Sequence, residues 1–126
     1  MAVEVADYKP NRDQRPRDFI VLVSESVANE CQEARHVVFF VDLADEAHPM
    51  PVSTFQVPEA DGGFCARGGR FGPHGTQWSM SAPFYKTLQV FSWFNAGMRV
   101  VDIRNPFEPT EVAYYIPATA ANTDVR

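Results

Sequence analysis

The sequence is poor in the features that mark a chain for nucleic acid, for a membrane helix or for a familiar catalytic centre. Eleven basic residues stand against sixteen acidic ones, for a net charge of −5, and they are scattered without a cationic run. A nucleic-acid surface needs a basic stripe to neutralise phosphates, so no nucleic-acid partner is expected. No stretch approaches the roughly twenty apolar residues of a membrane helix. The opening MAVEVADYKPNRDQRPRD has no apolar segment behind a basic start, so no secretory signal is read there and the compartment stays open. The glycine-rich stretch lacks a GK[ST] ending, which argues against a phosphate cradle. There is no G-x-S-x-G elbow, and no base is legible for Ser24 or Ser26.

What is present suits a β-rich core. Of 126 residues, 45% are hydrophobic and 13% aromatic, with ten Phe, ten Pro and seven Gly. That length is enough for one domain. Short β-branched and aromatic runs bounded by turn residues predict strands. They are FIVLVS (19–24), HVVFFVDL (36–43), VSTFQV (52–57), TLQVFSWF (87–94), MRVVDI (98–103) and EVAYYI (111–116), with GTQWSM (75–80) as a further short one. HVVFFVDL is nearly continuous in apolar residues, as in a strand covered on both faces. Asn95-Ala96-Gly97 predicts a tight hairpin. Residues 1–17 read as a polar lead-in or irregular edge segment, and 119–126 as a loose tail.

A repeat organises these strands. Val41-Asp42-Leu43 falls on Val101-Asp102-Ile103 at a constant offset of sixty positions, which also aligns Asp45 with Asn105, Pro49 with Pro109, Val52 with Val112 and Phe55 with Tyr115. Each copy is an apolar strand, an Asp or Asn turn, a Pro that fixes φ and a return strand. The copies span about 18–58 and 74–118, and the insert between them, 59–75, carries most of the glycines. With a preceding strand, each unit reads as an antiparallel sheet of about four strands, the size of a propeller blade. The expected fold is therefore all-β, with about two propeller-like blades. A compact β-sandwich is the alternative.

The segment GMRVVDIRNPFEPTEVAYY resembles the repeats of the LVIVD-repeat β-propeller proteins, a bacterial and largely uncharacterised family. In those repeats a strand ending V-V-D-I is followed by an N-P-x-x-P turn and a short E-V strand. FCARGGRFGPHG followed by VFSWFNAG is also similar to the longer members. The resemblance covers about residues 19–117 and implies architecture, with no catalytic residues to carry over; it also implies exported parent proteins. Closed propellers have about four to eight blades. Two would leave apolar faces and strand edges uncovered. The expectation is self-association, with three or four copies closing one ring, or a place within a larger propeller.

Chemistry is expected in the unrepeated insert. His74 lies in GRFGPHG near Arg70 and Cys65, and with Trp78 these are the ligand-binding candidates. His74 is also the metal candidate, because neutral imidazole is a common ligand; the expectation is no cofactor, with a divalent metal as the alternative. Cys31 and Cys65 would close a disulfide, remain as buried thiols, or join His36 and His74 in a zinc set whose spacing matches no standard closed site. Trp78, Phe84, Tyr85, Trp93 and Phe94 offer either a stacking surface or packing between sheets. Asp42 and Asp102 read as turn residues because both copies have them. The expected function is a binding scaffold for a protein or small-molecule ligand. The alternative is a metal-dependent enzyme with its site at the loop around His74.

Overall fold

The computed structural model describes residues 2–4, 18–77, 84 and 86–118, and among these the chain is all-β with no α-helix. Strands β1 (Ala2–Glu4), β2 (Asp18–Val23), β3 (Val38–Asp42) and β4 (Met50–Phe55) form one antiparallel sheet in sequence order. Strands β5 (Pro73–Thr76), β6 (Leu88–Trp93), β7 (Gly97–Asp102) and β8 (Thr110–Tyr115) form a second. The first sheet is three longer strands with the short β1 added at the β2 edge, so part of the stretch read as lead-in is paired backbone. The strand expected over 75–80 begins earlier, at Pro73, where it pairs with Trp93.

The repeat extends to individual hydrogen bonds. In the first copy Asp42 Oδ1 accepts from the Ala44 amide at 2.7 Å, and in the second Asp102 Oδ1 accepts from the Arg104 amide at 3.0 Å. Asp45 Oδ1 accepts from Ala47 N at 3.0 Å, and Asn105 Oδ1 from Phe107 N at 3.2 Å. The turns close through His48 N to Asp45 O and Glu108 N to Asn105 O, both 3.0 Å. Each copy also shifts register at the same place, between Phe40 and Val41 and between Val100 and Val101. Side chains that bond their own turn amides explain why Asp and Asn recur there.

The copies differ in the link between their second and third strands. In the second, Phe94 to Ala96 turn the chain within a hairpin that Gly97 closes at φ 75°, where an added Cβ would run into the Tyr115 backbone. In the first, residues 24–37 form a longer loop.

How the two sheets meet is the central structural fact. Paired residues share a face, and alternate residues along a strand share it too. The first sheet buries Val21, Val38, Phe40 and Phe55 against Phe91, Trp93 and Val101 of the second. Phe55 stacks on Phe91 at 6.0 Å between centroids and meets Trp93 edge-on at 5.7 Å. Phe107, on the β7–β8 turn, reaches back to Phe19 at 6.0 Å, and Ser53 Oγ donates to the Pro106 carbonyl. In the second copy, the positions equivalent to Val38 and Phe55 are Met98 and Tyr115, which lie on its far face. Val38 is 0% exposed and Met98 49%; Phe55 is 8% exposed and Tyr115 65%. Conversely Phe91, fully buried, corresponds to Leu22, which is 47% exposed. The sheets therefore stack front to back, through inequivalent faces, rather than front to front.

Candidate functional site

The long β2–β3 loop, the glycine-rich insert and the β6–β7 hairpin gather at one end of the two sheets. The insert contains two 3-10 turns, Glu59–Gly62 and Phe64–Arg67, with Gly63, Gly68, Gly69 and Gly72 at positive φ. Its glycines allow backbone conformations that side-chain-bearing residues resist. Phe64 stacks on Phe71 at 5.3 Å, giving this polar stretch an apolar root in the core.

Several ties fix the insert. Cys31 and Cys65 form a disulfide joining it to the β2–β3 loop, and Arg35 pairs with Glu59 at 2.6 Å. Asn29 and Arg70 form an isolated antiparallel bridge, with Glu30 N donating to Gly69 O at 2.7 Å. On the second sheet, Asn95 Nδ2 donates to the carbonyls of Phe64 (3.2 Å) and Gly68 (2.6 Å).

Arg70 and His74, two of the residues singled out in the sequence, converge on Glu25. His74 Nδ1 lies 3.0 Å and Arg70 Nη1 3.6 Å from Glu25 Oε1. Both side chains also lean on Phe94, the guanidinium 5.2 Å and the imidazole 5.0 Å from the ring centroid. All three polar groups are solvent-accessible, a setting in which such pairs contribute little to stability. The cluster is a carboxylate flanked by two donors over an aromatic ring, suited to polar and π contacts with a partner. A metal at His74 would compete with Arg70 for the Glu25 carboxylate, and the positive guanidinium opposes it. Cys65 is bonded to Cys31 in the disulfide. Trp78 and Tyr85 lie outside the described residues; Phe84 is exposed and Trp93 is buried between the sheets.

The four-residue zinc set does not assemble. Both sulfurs are bonded to each other, His74 faces Glu25, and His36 faces Ser24 and Glu33. Glu59 does come close to the two sulfurs, but sulfurs joined in a disulfide are not thiolates, the form that binds metal.

The sequence reading missed one network in the β2–β3 loop. Ser24 Oγ and His36 Nδ1 lie 2.7 Å apart, and His36 Nε2 lies 3.3 Å from Glu33 Oε2. This is the connectivity of a nucleophile, a base and an orienting carboxylate. The surrounding amides show what it does here. Glu33 Oε1 accepts from Ser26 Oγ (2.6 Å), Val27 N (2.7 Å) and Ala28 N (2.9 Å). Ser24 N donates to Val37 O and Ser26 N to Pro73 O. Four of the local N–H groups, those of Ser24, Ser26, Val27 and Ala28, are thus spent on folding the loop. The Ser26 hydroxyl and the Ala28 and Val27 amides, with His36, draw the Glu33 carboxyl from its ordinary value of 4.5 to about 2. Nothing in the spacing of Ser26 and Glu33 signals this knot, because its partners meet only through the loop's path. The cleft beside it, lined by Glu33, His36, Val57, Glu59 and Phe71, holds about 150 Å³, below the usual range for a small-molecule site.

Comparison of the chain with protein-family models, with curated proteins and with solved structures found no match.

Proposed function

We propose that the chain is an LVIVD-like propeller repeat protein that acts as a binding scaffold. Its two sheets serve as neighbouring blades, and the loop end carrying Glu25, Arg70, His74 and Phe94 is presented to a protein or small-molecule partner. The observation that carries this reading is the front-to-back stack: equivalent positions are buried in one copy and exposed in the other, as propagation around an axis requires. A front-to-front sandwich would bury the same face of both. The blades are completed by self-association or by further sequence of the same kind. The Cys31–Cys65 bond fits an oxidising compartment.

The competing reading is a metal-dependent enzyme at His74, and metal analysis of the purified protein separates the two. The scaffold reading expects well under one equivalent of copper, zinc or iron, unchanged by His74→Ala. Stoichiometric metal lost in that variant would overturn it.

A further inference from the structure

Among the described residues, the front-to-back stack leaves one face of each sheet without its counterpart, and the internal interface specifies what each lacks. On the second sheet, Leu88, Val90, Met98, Val100 and Tyr115 occupy the places that Phe19, Val21, Val38, Phe40 and Phe55 hold in the first. In the first sheet those five are core; in the second they are exposed or half-buried. Pro117, in the place of buried Val57, extends the patch, and together with Met98, Tyr115 and His74 it borders a hollow of about 260 Å³. The first sheet's far face carries Ile20, Leu22 and Phe39 where the second sheet packs Gln89, Phe91 and Arg99.

From this we infer that the far face of the second sheet is a docking surface for a second copy of this chain, which presents the far face of its first sheet. The inference rests on the propeller-type reading above and names the missing neighbour. The occupant is a copy because the chain already contains one instance of the contact. Continuing the same operation places Leu22 and Phe39 of the incoming copy against Met98 and Tyr115, as Phe91 stacks on Phe55 within the chain. The contact is heterologous, since each copy uses two different faces. Such contacts propagate until they close into a ring, or form filaments if the rotation does not close. Some positions have diverged in polarity: Ile20 stands for Gln89 and Phe39 for Arg99. The intermolecular contact is accordingly more apolar, without the Arg99–Glu111 pair at 3.3 Å that lines the internal one.

The test uses two variants of the full chain, each with a charge on one exposed face, Met98→Glu and Leu22→Glu. Circular dichroism matching the parent shows that each still folds. Sedimentation velocity should show the parent as an assembly. Either variant alone should be monomeric, its association weakened by at least about tenfold because a carboxylate is buried at the contact. Mixed in equal amounts, the two should give a 1:1 dimer and nothing larger, through the one pair of faces left intact. If both variants assemble like the parent, if only one substitution matters, or if the mixture stays monomeric, the head-to-tail contact is wrong. A monomeric parent would overturn docking by a second copy while leaving the scaffold reading intact, with the ring completed by further chain. Stoichiometric metal at His74 would instead sink the scaffold reading alone.

Discussion

At Val38 and Phe55 the first sheet buries what the second sheet, at Met98 and Tyr115, leaves in water. The backbone on either side is the same, with the same register shift and the same Asp and Asn turns. Fold and environment are thus separable here: the repeat dictates the strand and the turn, while a neighbouring sheet decides whether a face is core. Fully burying one large apolar side chain contributes roughly 1.5–3 kcal/mol, so several such positions on one face can hold two sheets together.

The largest effect should come from truncating the buried member of a pair. Phe55→Ala removes the ring between Phe91 and Trp93 and should cost about 3–5 kcal/mol. Tyr115→Ala should change the stability of a dissociated chain by less than about 0.5 kcal/mol. Urea unfolding of both, at concentrations where the chain is monomeric, checks the contrast; equal losses would break it.

The next effect concerns the long loop that only the first copy has. Cys31→Ser opens a cross-link between residues 34 positions apart, which should cost about 3–4 kcal/mol. Reducing the parent with dithiothreitol should reproduce that shift in the urea midpoint. No shift would mean that the hydrogen bonds of the insert hold it without the covalent tie.

Asn95→Ala comes third. It leaves the Phe64 and Gly68 carbonyls without their amide donor and should cost about 1–2 kcal/mol. Faster amide exchange should be confined to the insert, which would sharpen the distinction between the tight hairpin and the loops it anchors.

Acid should act on the first copy's loop before the second copy's hairpin. The Glu33 carboxyl is held at about 2 against 4.5 ordinarily, so its contribution is fully present above about 4.5 and is lost as pH falls toward 2. Protection of the Val27 and Ala28 amides should fall across that window and be low at every pH in Glu33→Gln. The Phe94–Ala96 hairpin should hold its protection over the same range. The smallest effect belongs to the duplicated turns: Asp45→Ala and Asn105→Ala should each cost about 0.5–1 kcal/mol. Unequal values would show that the two turns are not energetic copies.

The repeat was legible because its cause is local. Val-Asp-Leu and Val-Asp-Ile, followed by Asp or Asn and Pro, encode a strand and a turn that satisfy their own amides. The grouping of Arg70 with His74 was legible from proximity in the glycine-rich insert. Glu25 was not, because it comes from a loop nearly fifty positions away and meets them only once β2 and β5 are placed. The Ser24–His36–Glu33 network was hidden for the same reason: its spacing follows the path of one irregular loop. The two sulfurs showed that they could bond but not that they would, since pairing depends on where the insert folds back. The front-to-back stack was also invisible in the sequence, because both faces of the second sheet carry apolar side chains.

The most direct test of the account is the solution mass of the parent chain by sedimentation equilibrium. Continuation of the internal stack predicts a mass of at least twice 14.1 kDa. A chain that stays at 14.1 kDa up to about 100 µM, where even weak specific contacts are populated, would contradict association through the uncovered faces.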